Sequence, residues 1–503
     1  MTALPGTVDV VIVGYGPVGA AIAGLLGRYG VQALVVDKSP DIFMAPRAIA
    51  LDNEALRILQ MVGLTEDAFA KVVIPEVRLR CPHFGQFARI NTRGTTDGHP
   101  KLVTFYQPEL ERALRDHAEG LPGVAAHTGV EMVRFDEDRD GVRVVLRTPR
   151  GGEHVVHARF LIGADGASSR VRTAIGLDFE GETYAEDWLI VDAAGVPNNI
   201  DHVEFLCDPD RPTPHMVAPS GRTRWEFMLK PGETREEMEA DATIARLLSP
   251  WAKAEDIRIE RKAVYRFHAR VCASFRKGRV FLAGDAAHLT PPFAGQGLVA
   301  GLRDAANLAW KLAWVVRGRA SESILDSYDQ ERRPHAVKMI RLAKLMGQLI
   351  MPRGHARAVV IHGVMALLRR IPPARDYFEE LEMKPKNAFD EGLFARGASG
   401  GLRGAWFPQS VVRSSSADQL SDELLGPELA VVGLGADPAA SLSSATARRL
   451  RSAGGRTVRL PRTGAGARCF VVRPDRTVMH EGPIEAAERV VSESMNLLGT
   501  AAV

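Results

Sequence analysis

The hydrophobic positions near the N-terminus form two short apolar runs with a helical repeat between them. Residues 9–13 and 33–36 are the apolar runs, and apolar or small residues recur at helical spacing over 18–29. A strand, helix and strand joined by short connections favour a right-handed parallel βαβ unit. The same strand pattern recurs at 160–163 and 279–283. We therefore predict that separate segments return to one parallel sheet.

The rest of the chain divides by pattern into three further parts. Residues 182–271 alternate apolar and polar positions, which predicts an inserted antiparallel sheet with one face in water. Segment 321–381 is helical and basic, and a glycine-rich linker begins the small α/β pattern of 397–503. The predicted fold class is α/β, with a discontinuous first domain (1–181 and 272–396, which includes the helical segment), a β-rich domain and a C-terminal domain.

Composition narrows the classes of function. The chain has 503 residues and a formal net charge of +3, which argues against a nucleic-acid partner. The longest later apolar stretch, 358–368, is shorter than the ~20 residues that cross a bilayer, so it predicts a buried helix and no membrane association. Four scattered cysteines and no export signal near Met1 predict a cytoplasmic protein. The histidines show no metal-binding spacing, so no metal is predicted.

A glycine-rich turn stands between the first predicted strand and helix. Gly14 permits the tight turn, Gly16 lets a pyrophosphate approach the backbone, and Gly19 lets the helix pack close to the sheet. Asp37, at the end of the next strand, is placed to accept hydrogen bonds from a ribose. The predicted dinucleotide-binding residues are Gly14, Gly16, Pro17, Gly19, Asp37 and Lys38. This pattern alone does not distinguish FAD from NAD.

Two later segments indicate which dinucleotide binds. Residues 163–170 contain Gly-Ala-Asp-Gly, and residues 284–288 read Gly-Asp-Ala-Ala-His. They resemble two characteristic motifs of the flavoprotein aromatic hydroxylases, the single-component family of 4-hydroxybenzoate hydroxylase and phenol hydroxylase. The resemblance implies FAD, and because no cysteine or histidine stands at a recognisable attachment motif, we expect the FAD to be non-covalent. The resemblance also implies that Asp165 lies near the flavin and the transient nicotinamide, and that Gly284 and Asp285 lie at the flavin's ribityl or ribose hydroxyls.

The segment after these glycines predicts a loop that leads into a long helix. The loop contributes the predicted cofactor-binding residues Pro292, Gly295, Gln296, Gly297 and Leu298. A helix N-terminus presents free amides and the positive end of its dipole. Amides of Gly297 and Leu298 are therefore predicted to stabilise the negative charge of reduced flavin near N1 and the C2 carbonyl.

Further residues agree with the same family. By resemblance, Arg47 lies beside the flavin diphosphate and Gln107 beside the ribityl chain. Residues 267–270 and 278–297 resemble the 3-(3-hydroxyphenyl)propionate hydroxylase group within the family. Resemblance to phenol hydroxylase also implies a thioredoxin-like C-terminal domain, here without a C-x-x-C motif because Cys469 is its only cysteine.

The resemblance implies a reaction and its partners. NADH or NADPH reduces FAD, O2 adds to the flavin as a C4a-hydroperoxide, and a phenolic ring takes up the distal oxygen. The expected substrate is a phenolic acid like 3-(3-hydroxyphenyl)propionate, and a homodimer is a candidate assembly. Two alternatives stay open: a polyketide hydroxylase of the same fold with a larger pocket, and a non-catalytic flavin-binding sensor.

Two residues are candidates for contact with the substrate hydroxyl. Both Asp52 and Tyr265 resemble positions that approach the phenol in phenol hydroxylase. Asp52 is predicted to accept the phenol proton or to orient a residue that does, and Tyr265 to hydrogen-bond the resulting oxygen. The structural alternatives are that Asp52 only caps a helix and that Tyr265 is a core aromatic residue.

Overall fold

The fold places thirteen α-helices around two large sheets and a small C-terminal sheet in the described part of the chain. The structure is a computed structural model that describes residues 3–45, 47–197, 199–380, 382–396, 401–413, 418–461 and 466–499. Residues 397–400 of the predicted linker lie outside these ranges. The helices are α1 Pro17–Arg28, α2 Asn53–Val62, α3 Gln107–Glu119, α4 Arg170–Ala174, α5 Arg235–Met238, α6 Asp241–Leu248, α7 Gly297–Val316, α8 Asp326–Ile350, α9 His355–Leu368, α10 Pro372–Glu379, α11 Ser421–Leu425, α12 Ser444–Ser452 and α13 Ala487–Leu497.

The first sheet confirms the predicted return of separate segments to one parallel core. Its eight strands are Thr7–Val13, Ala33–Asp37, Val124–Thr128, Glu131–Glu137, Val142–Arg147, Glu153–Gly163, Arg276–Lys277 and Val280–Leu282. Thr7–Val13 pairs in parallel with Ala33–Asp37 on one side and with Glu153–Gly163 on the other. Val280–Leu282 adds in parallel to Glu153–Gly163. The carboxyl ends of these strands therefore meet at one edge, where α/β sheets bind ligands.

The second sheet is mostly antiparallel and is larger than the sequence pattern predicts. Its strands, in spatial order, are His288–Leu289, Arg258–Cys272, Phe179–Ala194, Arg222–Met228, Thr213–Ala218, Val203–Leu206, Glu76–Cys81 and Gly85–Asn91. The last two come from the segment 1–181, which the sequence assigned to the first domain. Glu76–Cys81 joins because it pairs in parallel with Val203–Leu206, a contact between distant segments.

Both faces of the second sheet are covered near its centre, so the expected water-exposed face is not found there. Trp225 and Phe227 point to one side and pack with Met238 and Leu248 from the short helices α5 and α6. The opposite side lines a large cavity. The alternating pattern arises because the cavity face carries polar side chains such as Tyr265.

The C-terminal residues form a four-stranded mixed sheet with three helices. Its strands are Ala430–Leu434, Arg456–Leu460, Arg468–Val472 and Val478–Pro483. Leu429 and Val471 belong to the same buried cluster as the core of the first sheet. Three short strands, Ala50–Asp52, Lys71–Val73 and Leu102–Phe105, form one small sheet. Two further two-stranded sheets pair Thr95–Thr96 with His99–Pro100, and Val411–Val412 with Gln419–Leu420.

Helix α9 corrects the prediction of a buried helix at 358–368. The segment is helical, but Val360 and Leu367 are 64% and 60% exposed. Only one face of α9 is buried, by Ala358 and His362. The apolar run was continuous in sequence, whereas the helix has neighbours on one side only. Among the described residues, the structure contains no helix that is long and apolar enough to cross a membrane.

Candidate cofactor and substrate site

The glycine-rich turn has the geometry of a dinucleotide cradle. Gly14 has φ +103°, and a Cβ there would collide with the carbonyl oxygen of Ala164. A Cβ at Gly19 would collide with the carbonyl oxygen of Gly14. A Cβ at Gly16 would meet no protein atom within 4 Å, so the space in front of it is open to a ligand. Gly16 caps α1 and Pro17 begins it, so the helix N-terminus faces this space.

Asp37 and Gln107 are held by backbone amides at the rim of the cavity. The Tyr15 amide donates to Asp37 Oδ2 over 2.7 Å, and the Ser39 amide donates to Oδ1 over 2.8 Å. Gln107 Oε1 accepts from the amides of Arg47 and Ala48 at 3.0 and 2.9 Å. Each carboxylate oxygen of Asp37 keeps capacity for a ribose hydroxyl. Lys38 also lines the cavity.

The Gly284–Asp285 turn is anchored from behind by a buried ion network. Asp304 Oδ2 accepts from the Gly284 amide at 3.0 Å and lies 2.7 Å from His288 Nε2. Arg332 Nε donates to Asp304 Oδ1 at 2.9 Å. Burial raises the pKa of Asp304. Interaction with His288 and Arg332 lowers it by more, so the net shift of the pKa is downward. The network fixes the turn that presents Asp285 to the cavity.

Asp285 itself faces the positive side chain of Arg47. The Arg47 guanidinium is 3.7 Å from Asp285 Oδ2. Burial raises the pKa of Asp285, and Arg47 acts against that rise. A ligand with hydroxyl groups would give this carboxylate the hydrogen bonds it lacks among the described residues.

Asp165 caps helix α4 and lines the cavity. Its carboxylate accepts from the amides of Arg170 and Val171 at 2.7 and 3.2 Å and from the Ser169 hydroxyl at 2.5 Å. These contacts show a structural role for Asp165. Its place on the cavity wall is also compatible with the predicted position near the flavin and nicotinamide.

Helix α7 points its N-terminus into the cavity. Gly295 takes the left-handed conformation, with φ +62°, and turns the chain from Pro292–Ala294 into the helix. The first turn of α7 has no side-chain cap and no acidic residue. Its 20 residues therefore present the amides of Gly297 and Leu298 and a dipole to an anion in the cavity.

Asp52 is the centre of a buried polar network at the cavity wall. Its Oδ1 accepts from the Ala55 amide at 2.9 Å, which caps α2. Its Oδ2 accepts from Lys384 at 2.7 Å, Gln296 at 3.1 Å and Arg303 at 3.2 Å. Burial raises the pKa of Asp52, but Lys384 and Arg303 hold it well below the usual range. An ionised, fully bonded carboxylate is poorly suited to take a proton and well suited to orient Gln296.

Tyr265 lies on the cavity face of the second sheet. Arg261 Nη2 donates to the Tyr265 hydroxyl at 2.7 Å, which leaves the phenolic proton free to point elsewhere. Phe267, two residues on, stacks on Trp188 and meets Phe293 edge-on, with ring centroids 5.5 and 5.9 Å apart. The rings of Phe267 and Phe293 form an apolar wall of the cavity at the loop that precedes α7.

One cavity of 1190 Å³ connects these groups. It runs from the turn at Gly16 past Asp285 and the N-terminus of α7 to the face that carries Tyr265. All sixteen predicted cofactor residues except Gly19 and Gly284 line it, and those two shape its turns. A chamber of this size exceeds a typical small-ligand site, so it has room for a dinucleotide and a second, smaller molecule.

Sequence reasoning missed the residues that support the site from behind. They are Glu54, Arg303, Asp304, Arg332 and Lys384, together with Glu226 on the cavity face. One indication was available, because charged residues at 303 and 304 interrupt an otherwise apolar helix. No comparable indication marks Lys384, whose partners are distant in sequence.

Comparison with known proteins agrees with the geometry. A family model described as "FAD binding domain" matches residues 7–343, and one described as "HcaD C-terminal domain" matches 404–469. A 3-(3-hydroxy-phenyl)propionate/3-hydroxycinnamic acid hydroxylase of Comamonas testosteroni is 37% identical over 420 residues, covering 83% of this chain and 71% of the relative. The enzyme of that name from Escherichia coli K12 is 36% identical over 464 residues, covering 90% and 83%.

A solved structure shows the same fold over the whole chain. The flavin-dependent monooxygenase PieE, in complex with FAD and substrate, superposes with a TM-score of 0.82 at 20% identity, covering 99% of this chain and 100% of that one.

Fold and site define an FAD-dependent aromatic monooxygenase: the glycine cradle and the free amides of α7 fit FAD. The chain belongs to the FAD-binding hydroxylase family that includes the 3-(3-hydroxyphenyl)propionate hydroxylases.

Proposed function

We propose that the protein hydroxylates the ring of a phenolic acid similar to 3-(3-hydroxyphenyl)propionate, with FAD, NAD(P)H and O2. The observation that carries this proposal is the single cavity that joins the FAD cradle to an aromatic-lined chamber. The names of the curated relatives support the class of substrate. The chemistry supplied by bound FAD is hydride acceptance from NAD(P)H and activation of O2 for transfer of one oxygen atom.

The residues of this chain hold and tune the cofactor. Gly14 and Gly16 would accommodate the diphosphate of FAD, Asp37 and Asp285 would accept from its ribose or ribityl hydroxyls, and Arg47 would supply positive charge to the diphosphate. The amides at the start of α7 would favour negative charge on the bound cofactor, because they are already oriented toward the cavity.

The aromatic wall of the cavity favours hydroxylation of the substrate over release of hydrogen peroxide. Phe267, Phe293 and Trp188 pack against one another beside the loop before α7 and exclude water there. Asp52 acts as a positioning residue that fixes Gln296 and Arg303, and the Tyr265 hydroxyl donates to the oxygen of the substrate.

The domain assignment is proposed on the same basis. Residues 182–271, together with the strands at 76–91, form the substrate part. The C-terminal unit is proposed to be thioredoxin-like, supported by its mixed four-stranded sheet with flanking helices. Its role is packing or association, including a homodimer. All four cysteines are buried and unpaired, which supports a reducing compartment such as the cytoplasm.

The alternatives have weaker support. The polyketide hydroxylases among the solved structures, such as aklavinone-11 hydroxylase at 22% identity, share the fold alone. A non-catalytic sensor would hold FAD but would not consume reductant in response to a phenol.

The test is a screen of phenolic acids against the purified flavoprotein. We expect 3-(3-hydroxyphenyl)propionate or a close analogue to stimulate NAD(P)H oxidation, with a product that mass spectrometry shows to carry one additional oxygen. Stimulation only by polycyclic phenols would favour the polyketide alternative. A lack of stimulation by any phenol would reject the proposed function.

A further inference from the structure

One carboxyl on the cavity face of the second sheet has no hydrogen-bond partner among the described residues. Glu226 lies on the strand Arg222–Met228, is 7% exposed and lines the cavity. No hydrogen bond joins its carboxyl to any other described residue, although such bonds satisfy most buried polar groups. A buried acceptor that faces a cavity without a partner is suited to bind a donor from a ligand.

Strand register places Glu226 and Tyr265 on the same face of the second sheet, on the two strands that flank Phe179–Ala194. Glu226 pairs with Ile190, and Ile190 pairs with Ala263, so all three side chains share the cavity face. Tyr265, two residues beyond Ala263, shares that face and pairs with Trp188. A carboxyl acceptor and a hydroxyl donor therefore face the cavity from the strands on either side of Phe179–Ala194, across two strand spacings of about 10 Å in total.

The charges next to Glu226 on this face favour a negative oxygen in the cavity. Asp192 binds Arg224 at 2.6 Å and Arg261 at 3.2 Å, so one carboxylate serves two guanidinium groups. Glu226 is the second carboxylate of this cluster, and the neighbouring strand on its other side offers only the apolar Pro214 and Met216 to the cavity. When Glu226 is neutral, the cluster carries one net positive charge, which an anionic ligand can balance.

We propose that Glu226 recognises the hydroxyl group of the phenolic substrate and takes its proton. The phenol O–H bond breaks, an O–H bond forms on the Glu226 carboxylate, and the electron pair stays on the phenolate oxygen. That oxygen accepts a hydrogen bond from the Tyr265 hydroxyl. Glu226 returns the proton to the hydroxylated product, which completes the cycle. This assignment rests on the proposed function and specifies which group acts on the substrate.

The electrostatic environment supports the step. Burial raises the pKa of Glu226 above its ordinary value, although Arg224 lowers it in part. A carboxylate with a raised pKa is a better proton acceptor than one in water. In contrast, Asp52 has a lowered pKa and four hydrogen bonds, so it is the poorer acceptor of the two.

The first test is binding to the intact FAD-loaded protein, with two probes that differ only in the ring hydroxyl. These are 3-(3-hydroxyphenyl)propionate and 3-phenylpropionate. We expect the parent to prefer the hydroxylated ligand at least tenfold and Glu226→Leu to lose that preference, with its affinity for 3-phenylpropionate unchanged. Glu226→Gln, which keeps an acceptor oxygen, should keep most of the preference.

The second test is the pH profile of hydroxylated product per NAD(P)H. We expect Glu226→Gln to yield about tenfold less product near neutral pH and to recover as the pH approaches that of free phenol ionisation, about 10. The matched control is Glu204→Gln, because Glu204 is a buried carboxyl on the same sheet that pairs with Arg80 and does not line the cavity. This control should follow the parent profile.

The outcomes separate the two proposals. Retained hydroxyl preference in Glu226→Leu, equal weakening of both ligands, or a Glu226→Gln profile identical to Glu204→Gln would overturn the assignment of Glu226. Absence of phenol-dependent product from the parent would reject the hydroxylase function. The binding comparison would still report on hydroxyl recognition in that case, because it does not require turnover.

Discussion

Lys384 Nζ lies 2.7 Å from Asp52 Oδ2, although 332 positions separate the two residues. The same carboxylate oxygen accepts from Gln296, the residue that precedes α7. A loop from beyond the helical segment is thereby tied to the start of the helix whose N-terminus faces the cavity. This link makes the orientation of Gln296 depend on a distant residue.

Replacement of Asp52 by Ala tests this link. The variant should retain FAD and be reduced by NAD(P)H, because Asp52 does not belong to the FAD cradle. It should divert reductant to hydrogen peroxide, since Gln296 and Arg303 lose their common acceptor. Stability should fall by about 3–5 kcal/mol, as buried cations lose a partner. Measurements are peroxide per NAD(P)H and urea unfolding, with Asp136→Ala as an exposed control. If the variant produces no more peroxide per NAD(P)H than the parent, the role of Asp52 is limited to capping α2.

Replacement of Tyr265 by Phe removes one hydroxyl from the cavity face. FAD binding and flavin reduction should be unchanged, and product per NAD(P)H should fall about fivefold to tenfold, the equivalent of one hydrogen bond of about 1–1.5 kcal/mol. Tyr377→Phe is the control, because Tyr377 is 44% exposed and does not line the cavity. If both variants couple as the parent does, Tyr265 is a wall residue and not a donor.

Replacement of Asp285 by Ala should weaken FAD retention. Loss of a hydrogen bond to a charged group costs about 1.5–3 kcal/mol, which corresponds to roughly a tenfold to hundredfold rise in the Kd for FAD. The purified parent should be yellow and release its FAD on denaturation, because the link is not covalent. The measurement is flavin per protein after gel filtration. Asp390→Ala, at an exposed ion pair with Lys338, is the control, and equal flavin content in both variants would contradict the role of Asp285.

Truncation after residue 396 should leave a flavoprotein of reduced stability. Every predicted FAD contact precedes that point, whereas Arg473 donates to Glu331 over 2.7 Å and Arg57 donates to Asp422 over 2.8 Å across the junction. Flavin content and elution volume measure the result. A folded truncation that has lost all FAD would reject this division of roles.

Acid should weaken the junction through Glu331. Burial raises the pKa of Glu331, but Arg473 and Lys311 lower it well below its usual range. A lowered folded-state pKa contributes stability in full above the ordinary value of 4.5, and this contribution is lost as the pH falls toward the folded-state pKa. The parent should therefore lose more free energy of unfolding than Glu331→Gln between about pH 5 and pH 2. Equal losses in urea titrations would show that Glu331 does not drive the acid sensitivity.

The chain order of strand, glycine turn and helix determined the cofactor cradle by itself. Gly14, Gly16 and Asp37 depend on neighbours within one βαβ unit, so local periodicity and backbone sterics were sufficient to identify them. The motifs at 163–166 and 284–288 likewise depend on local turns, and they indicated the family.

Only the tertiary structure decided which groups face the cavity. Strand pairing brought residues 76–91 into the second sheet and aimed Glu226 at the cavity, and both depend on contacts between distant segments. Long-range packing also supplied Lys384 to Asp52, which changed a candidate proton acceptor into an ionised anchor. A carboxyl's burial, partners and pKa are properties of its surroundings, and the one-dimensional pattern does not contain them.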